Sequence, residues 1–152
     1  MPFCFETLMK KTILPVEIVY IEDDGFHLMV KVSINNKKGW LLIDTGASKT
    51  VFDTGRIKKF MAEDEFTLNE KLSTGLGTNS MQTHSASIKK LQLGDLTLKS
   101  FDTIVLDLSH VNESYRKLGL TEIEGVLGSD LMMQYDAVID YKAKELRLKW
   151  KE

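Results

Sequence analysis

The feature that most restricts this chain is a carboxylate set at the end of an apolar strand. Leu41-Leu42-Ile43 reads as a buried strand, and Asp44-Thr45-Gly46-Ala47-Ser48 follows it directly. An ionisable group where a core run stops must be pinned by hydrogen bonds, and the turn offers them. The Thr45 hydroxyl and the N–H groups after Asp44 can serve its oxygens, while Gly46 tolerates positive φ and close backbone approach. Ala47 and Ser48 are small enough to let a second backbone come near. A strand-end turn with a purely structural Asp is the other reading of these residues taken alone.

The segments before this turn read as a β meander that delivers it. Val16 to Ile21 is β-branched and aromatic, Glu22-Asp23-Asp24-Gly25 supplies a turn, and Phe26 to Ile34 partly alternates. Asn35 to Gly39 is expected as a polar loop into a strand from Trp40 to Asp44. Thr50-Val51-Phe52 can return as a strand, with Asp53 capping a short helix from Gly55 to Met61. Asp53-Thr54-Gly55 repeats the Asp-Thr-Gly triplet but lacks a long apolar run in front, so it reads as a turn opening that helix. Asp-Thr-Gly alone is a weak signal, since chance supplies it in a few chains per hundred of this length.

Farther on, Ser73 to Ser87 is polar and glycine-bearing, which suits a surface hairpin rather than a buried element. Ile88 to Leu93, Gly94-Asp95 and Leu96 to Leu98 form another hairpin, followed by a strand from Phe101 to Leu108. Val111 to Leu118 suits one or two helical turns stopped by Gly119. Gly125-Val126-Leu127-Gly128 is a second apolar run ending in glycine, and Ser129 is expected to cap a helix through Tyr135, with Asp130 favoured by the dipole of its first turn. A final hairpin runs from Asp136 to Lys149, with Leu146, Leu148 and Trp150 on one face.

Taken together, Ile43-Asp44-Thr45-Gly46-Ala47-Ser48, Thr74-Gly75-Leu76-Gly77-Thr78-Asn79 and Val126-Leu127-Gly128-Ser129-Asp130 resemble, in order, the catalytic turn, flap and late-glycine motif of retropepsin-type aspartic peptidases. The resemblance runs from about Phe26 to Leu148. It implies a mostly β fold, a closed barrel of the acid-protease kind with one or two short helices. It further implies that Asp44 is catalytic, that Thr45, Gly46, Ala47 and Ser48 support its turn, and that Gly75, Leu76 and Gly77 belong to a flap over a polypeptide substrate. Val126, Leu127, Gly128 and Asp130 would form the structural second motif. The flap departs from better-known patterns in having no aromatic residue near its tip. Family members use two such aspartates and this chain supplies one suitable turn, so the resemblance implies a homodimer. A non-catalytic peptide-binding or scaffold module of the same fold is the alternative, and a monomeric hydrolase pairing Asp44 with Asp130 is a third.

Length and composition set the remaining bounds. The 152 residues suit one domain, expected to span 16–152 behind an N-terminal extension of 1–15. A net charge of −2 gives no electrostatic reason to expect nucleic acid or anionic membrane. Cys4 is the only cysteine, and His27, His84 and His110 lack ligand spacing, so neither a disulfide within the chain nor a metal or other cofactor is expected. Without a basic and apolar leader or an apolar run near 18 residues, a cytoplasmic location is the expectation. The seven methionines follow no helical stripe; Met1 apart, they suit gap filling in core or cleft.

Overall fold

The computed structural model describes residues 8–23, 25–62, 71–74 and 80–152. Ten strands are present among them: β1 (Met9–Ile21), β2 (Gly25–Ile34), β3 (Lys37–Ile43), β4 (Val51–Asp53), β5 (Lys71–Thr74), β6 (Ser80–Leu93), β7 (Leu96–Leu106), β8 (Gly125–Leu127), β9 (Val138–Asp140) and β10 (Glu145–Lys151). The helices are α1 (Thr54–Ile57), continued by a 3-10 turn at Lys58–Phe60, α2 (Ser109–Lys117) and α3 (Ser129–Gln134). The expected mostly β fold is the one found, with three short α-helices rather than one or two.

Six strands close on themselves in the order β6-β7-β4-β8-β3-β2, because β2 also pairs with β6. That seam is short, joining Ser33 to Gln92 and Ile34 to Leu91. Asn35 extends it by donating its backbone N–H to Lys90 O at 2.8 Å and accepting the Lys90 N–H on Oδ1 at 3.0 Å. The barrel is mixed: β3 runs parallel to β8 and β4 parallel to β7, whereas β4 and β8 are antiparallel.

Strand alternation makes two cores. Leu28, Val30, Val32 and Ile34 of β2 join Leu41, Ile43 and Leu127 inside the barrel, each 8% exposed or less. Met29 and Val126 point the other way and, with Tyr115 of α2 and Ile123, form a cluster outside the wall, against which Trp40 and Leu42 pack. Burying one such aliphatic side chain contributes roughly 2 kcal/mol, so β2, β3 and β8 are fixed from both faces.

Several boundaries differ from expectation for local reasons. The break expected after residue 15 falls inside β1, whose Met9 to Pro15 pair with β10 and whose Val16 to Ile21 pair with β2. The anticipated loop from Asn35 to Gly39 is a two-residue turn: Asn35 and Asn36 both take positive φ, 48° and 68°, and β3 starts at Lys37 opposite Ile34. Paired positive φ is what a tight hairpin requires, and asparagine accepts it. The two strands expected on either side of Lys99-Ser100 are one, β7, which passes through Ser100 at φ 53°.

Candidate active site

Asp44 emerges at the end of β3 and is exposed. Its N–H donates to Leu127 O at 3.0 Å, carrying the β3 to β8 pairing one residue past the strand. The turn closes by Ala47 N–H donating to Asp44 O at 3.2 Å, and the Gly46 N–H donates to Asp44 Oδ1 at 3.0 Å. Gly46 is not in the left-handed region. Its value is space, since a Cβ there would lie 3.3 Å from the same carboxylate oxygen.

The second motif braces this turn from below. The Ser129 N–H donates to Ala47 O at 2.7 Å. Gly128 admits the returning chain, as a Cβ on it would fall 2.5 Å from the Lys49 carbonyl carbon, a backbone atom with no room to move. Thr50, 2% exposed, ties the two motifs together. Its hydroxyl accepts from Gly128 N–H at 3.0 Å and donates to Asp130 Oδ1 at 2.7 Å, while its own N–H donates to the same oxygen at 2.9 Å. Asp130 Oδ1 is therefore held by Thr50, and Asp130 stands in the first turn of α3 as expected. Ser129 is the first residue of α3 rather than its cap; Gly128 holds the cap position, with no side-chain bond.

The repeated triplet has a different fate. Asp53, 6% exposed, accepts Arg56 N–H on Oδ2 at 2.9 Å and Leu108 N–H on Oδ1 at 2.8 Å. It caps α1 and anchors the end of β7, as a structural Asp should. Next to it, the buried Glu124 accepts from the Trp40 N–H and from Arg56 at 3.1 and 2.6 Å, and Arg56 also pairs with Glu122 at 2.7 Å. The start of β3, α1 and the approach to β8 are thus joined by charge.

A cleft of about 300 Å³ opens beside Asp44 and Thr45. Phe26, Leu42, Ile139 and Tyr141 supply its apolar wall, and His27 its polar one. Met132, Met133 and Ala137 line a second hollow of about 290 Å³ on the far side of Thr45. Asp130 lines neither of these hollows, and its Oδ1 accepts from Thr50. Gly75, Leu76 and Gly77 lie outside the described residues; the strands leading to them, β5 and β6, pair antiparallel from Lys71 with Thr83 to Thr74 with Ser80. Among the described residues, no three of His, Cys, Asp and Glu converge as a metal site.

Thr50 and His27 were not legible in the sequence as parts of the site. For His27 a neighbouring signal was present: the Asn35-Asn36 turn pairs Ile34 with Lys37 and Leu28 with Ile43, the residues next to His27 and Asp44.

The sequence profile of the family described as aspartyl protease matches residues 30–131. No curated protein matches the sequence. Among solved structures, a retropepsin-like aspartic protease from Rickettsia conorii is 18% identical with a TM-score of 0.57, the match covering 95% of this chain and 93% of that one. The retroviral protease-like domain of Ddi1 from Leishmania major is 14% identical with a TM-score of 0.56, over 80% and 87% of the two chains. The EIAV protease in complex with the inhibitor HBY-793 is 17% identical with a TM-score of 0.50, over 76% and 92%. At these identities the likeness is one of fold, and the fold is retropepsin-like.

Proposed function

Since this chain belongs to the aspartyl protease family, we propose that it is an aspartic endopeptidase working as a two-fold homodimer, each copy supplying one Asp44. The observation that carries this reading is the Asp44 turn itself, a carboxylate at a strand end, held by the Gly46 N–H and open to solvent on a cleft with an apolar wall. An exposed carboxylate fixed in this way is poorly used if it serves the turn alone.

Two such carboxylates facing each other across a two-fold axis share one proton, because both cannot easily ionise at close range. The ionised one takes a proton from a water held between them as the water oxygen bonds to the peptide carbonyl carbon. The protonated one gives its proton to the carbonyl oxygen. Transfer of a proton to the amide nitrogen then breaks the C–N bond, leaving a carboxylic acid and an amine. A single copy of the turn supplies only half of this exchange, which is the reason for the dimer. The apolar wall of Phe26, Leu42, Ile139 and Tyr141 suits the side chains of an extended polypeptide.

Asp44→Asn tests the proposal. Asn keeps the shape and accepts the Gly46 N–H but can neither ionise nor share a proton, so cleavage of a peptide substrate should vanish while the thermal melt stays close to wild type. Asp53→Asn is the control: it loses part of a cap, about 1 kcal/mol of stability, and should still cut peptide below its melt. Wild-type turnover by Asp44→Asn, or loss of turnover only in Asp53→Asn, would move the site elsewhere.

A further inference from the structure

β1 changes partners in mid-course, and the change leaves a notch in the surface. Up to Pro15 it pairs with β10, Pro15 lying across from Glu145, and from Val16 onward it pairs with β2, Val16 lying across from Val30. Pro15 has no N–H to give, and the Val16 N–H donates to Lys144 O at 2.9 Å, so β1 is tied to the turn before β10 at the point where the two strands part. The space measures about 480 Å³, and Pro15, Val16, Ile18 and Trp40 are its apolar lining. It shares no lining residue with the Asp44 cleft.

The rim of the notch is charged and mostly of one sign. Lys31 and Lys144 stand against Glu17, all three exposed, and Lys31 also borders a hollow of about 280 Å³ that Lys38 lines. Among the described residues, no carboxylate pairs with Lys31, Lys38 or Lys144. The Lys31 Nζ lies 5.6 Å from the centre of the Trp40 ring, which packs on its other side against the cluster of Met29 and Tyr115. We propose that the notch is a docking site for an extended acidic peptide with one large aliphatic side chain. That side chain fills the apolar space, and flanking carboxylates meet Lys31, Lys144 and Lys38. Apolar burial supplies most of the affinity, while the ammonium groups select the sign of the partner. A single-stranded nucleic acid is a poorer fit, because a base needs an open aromatic face to stack on and Lys31 already stands over Trp40. The proposal goes beyond the peptidase reading and does not depend on it.

The test titrates the protein with a blocked Glu-Glu-Leu-Glu-Glu peptide, followed by calorimetry and by amide NMR. Shifts should centre on Val16, Ile18, Lys31 and Trp40. Replacing the peptide's Leu by Ala should weaken binding roughly 10-fold, and replacing its Glu residues by Gln should weaken it further still. Lys31→Gln and Lys144→Gln should each lower the affinity about 2- to 5-fold, and added salt should lower it in the wild type by screening these exposed charges. Glu17→Gln, which removes the opposing charge, should tighten binding about 2-fold. Lys99→Gln, at an exposed lysine away from the notch, should change nothing. Asp44→Asn should bind the peptide as the wild type does, so failure of the peptidase reading leaves this result untouched. No saturable binding, equal affinity for the Glu and Gln peptides, or a loss in Lys99→Gln as large as that in Lys31→Gln overturns the assignment. So do shifts centred on Leu42 to Thr45, which put the peptide in the Asp44 cleft. A single-stranded oligonucleotide that displaces the peptide and binds more tightly gives the surface to nucleic acid. A heat of dilution of the protein alone that is lost in Lys31→Gln gives it to a second copy, and either outcome overturns the peptide assignment.

Discussion

Thr50 shows how much one hydroxyl can carry. It bridges the Asp44 turn and the β8 to α3 junction by giving its proton to Asp130 and taking the Gly128 N–H, in a place where water does not reach. Thr50→Val keeps the shape and removes both bonds, leaving the Gly128 N–H without its acceptor. Urea denaturation should show a loss of about 1–3 kcal/mol, whereas Thr50→Ser should stay near wild type. A loss under about 0.5 kcal/mol in Thr50→Val would mean that the backbone holds the two motifs without it. At this scale, what the sequence made legible was the ionisable residue itself. Asp44 stands out because a charge at the end of Leu41-Leu42-Ile43 contradicts its surroundings, and Asp53 was separable from it by its weaker run. Thr50 sits in an ordinary strand pattern, and its work depends on Asp130, 80 positions away, which no local pattern contains.

Among the elements, α2 and the segment after it show charge used as a fastener. Arg116 reaches Glu122 at 2.6 Å, and that hydrogen bond, with help from Arg56 and Lys59 and against a smaller effect of burial, holds the Glu122 carboxyl below its ordinary 4.5. A carboxylate whose folded value is lowered stabilises the fold fully above 4.5 and loses that contribution as pH falls through the lowered value. Arg116 is 70% exposed, so the effect is small, within about 1 kcal/mol. Arg116→Met should therefore be slightly less stable than wild type near neutral pH, and the urea midpoints of the two should converge as pH drops below 4.5. A gap that widens toward acid would contradict the assignment. Strand and helix types were legible here because β-branched runs, Gly119 and the Asp53 cap are local signals. Register was less so. Reading Asn35 to Gly39 as a loop hid the two-residue turn, and with it the pairing of Leu28 with Ile43, the residues beside His27 and Asp44.

For the whole molecule, barrel closure was the least visible feature. Closure depends on two residue pairs between β2 and β6 and on the side chain of Asn35, contacts made across more than 50 positions. Among the described residues Asp44 is the one carboxylate lining the cleft, and the proposed dimer would bring the second. The specific activity of the wild type should fall on dilution as dimers separate, and sedimentation should show doubled mass where activity is high. A strictly monomeric species cutting peptide at full rate would end the two-copy scheme. The early and late strands add a mechanical consequence. β1 and β10 lie antiparallel with Met9 beside Lys151, and Lys10 pairs with Glu152 at 2.7 Å. A tensile load applied to the two ends would not shear this ladder along its length. It would open it like a zip, rung by rung from Met9 and Lys151 toward Pro15 and Glu145, so that each hydrogen bond meets the force alone. A barrel packed from both faces is in this way joined to a seam that a molecular motor gripping either end would peel with little effort.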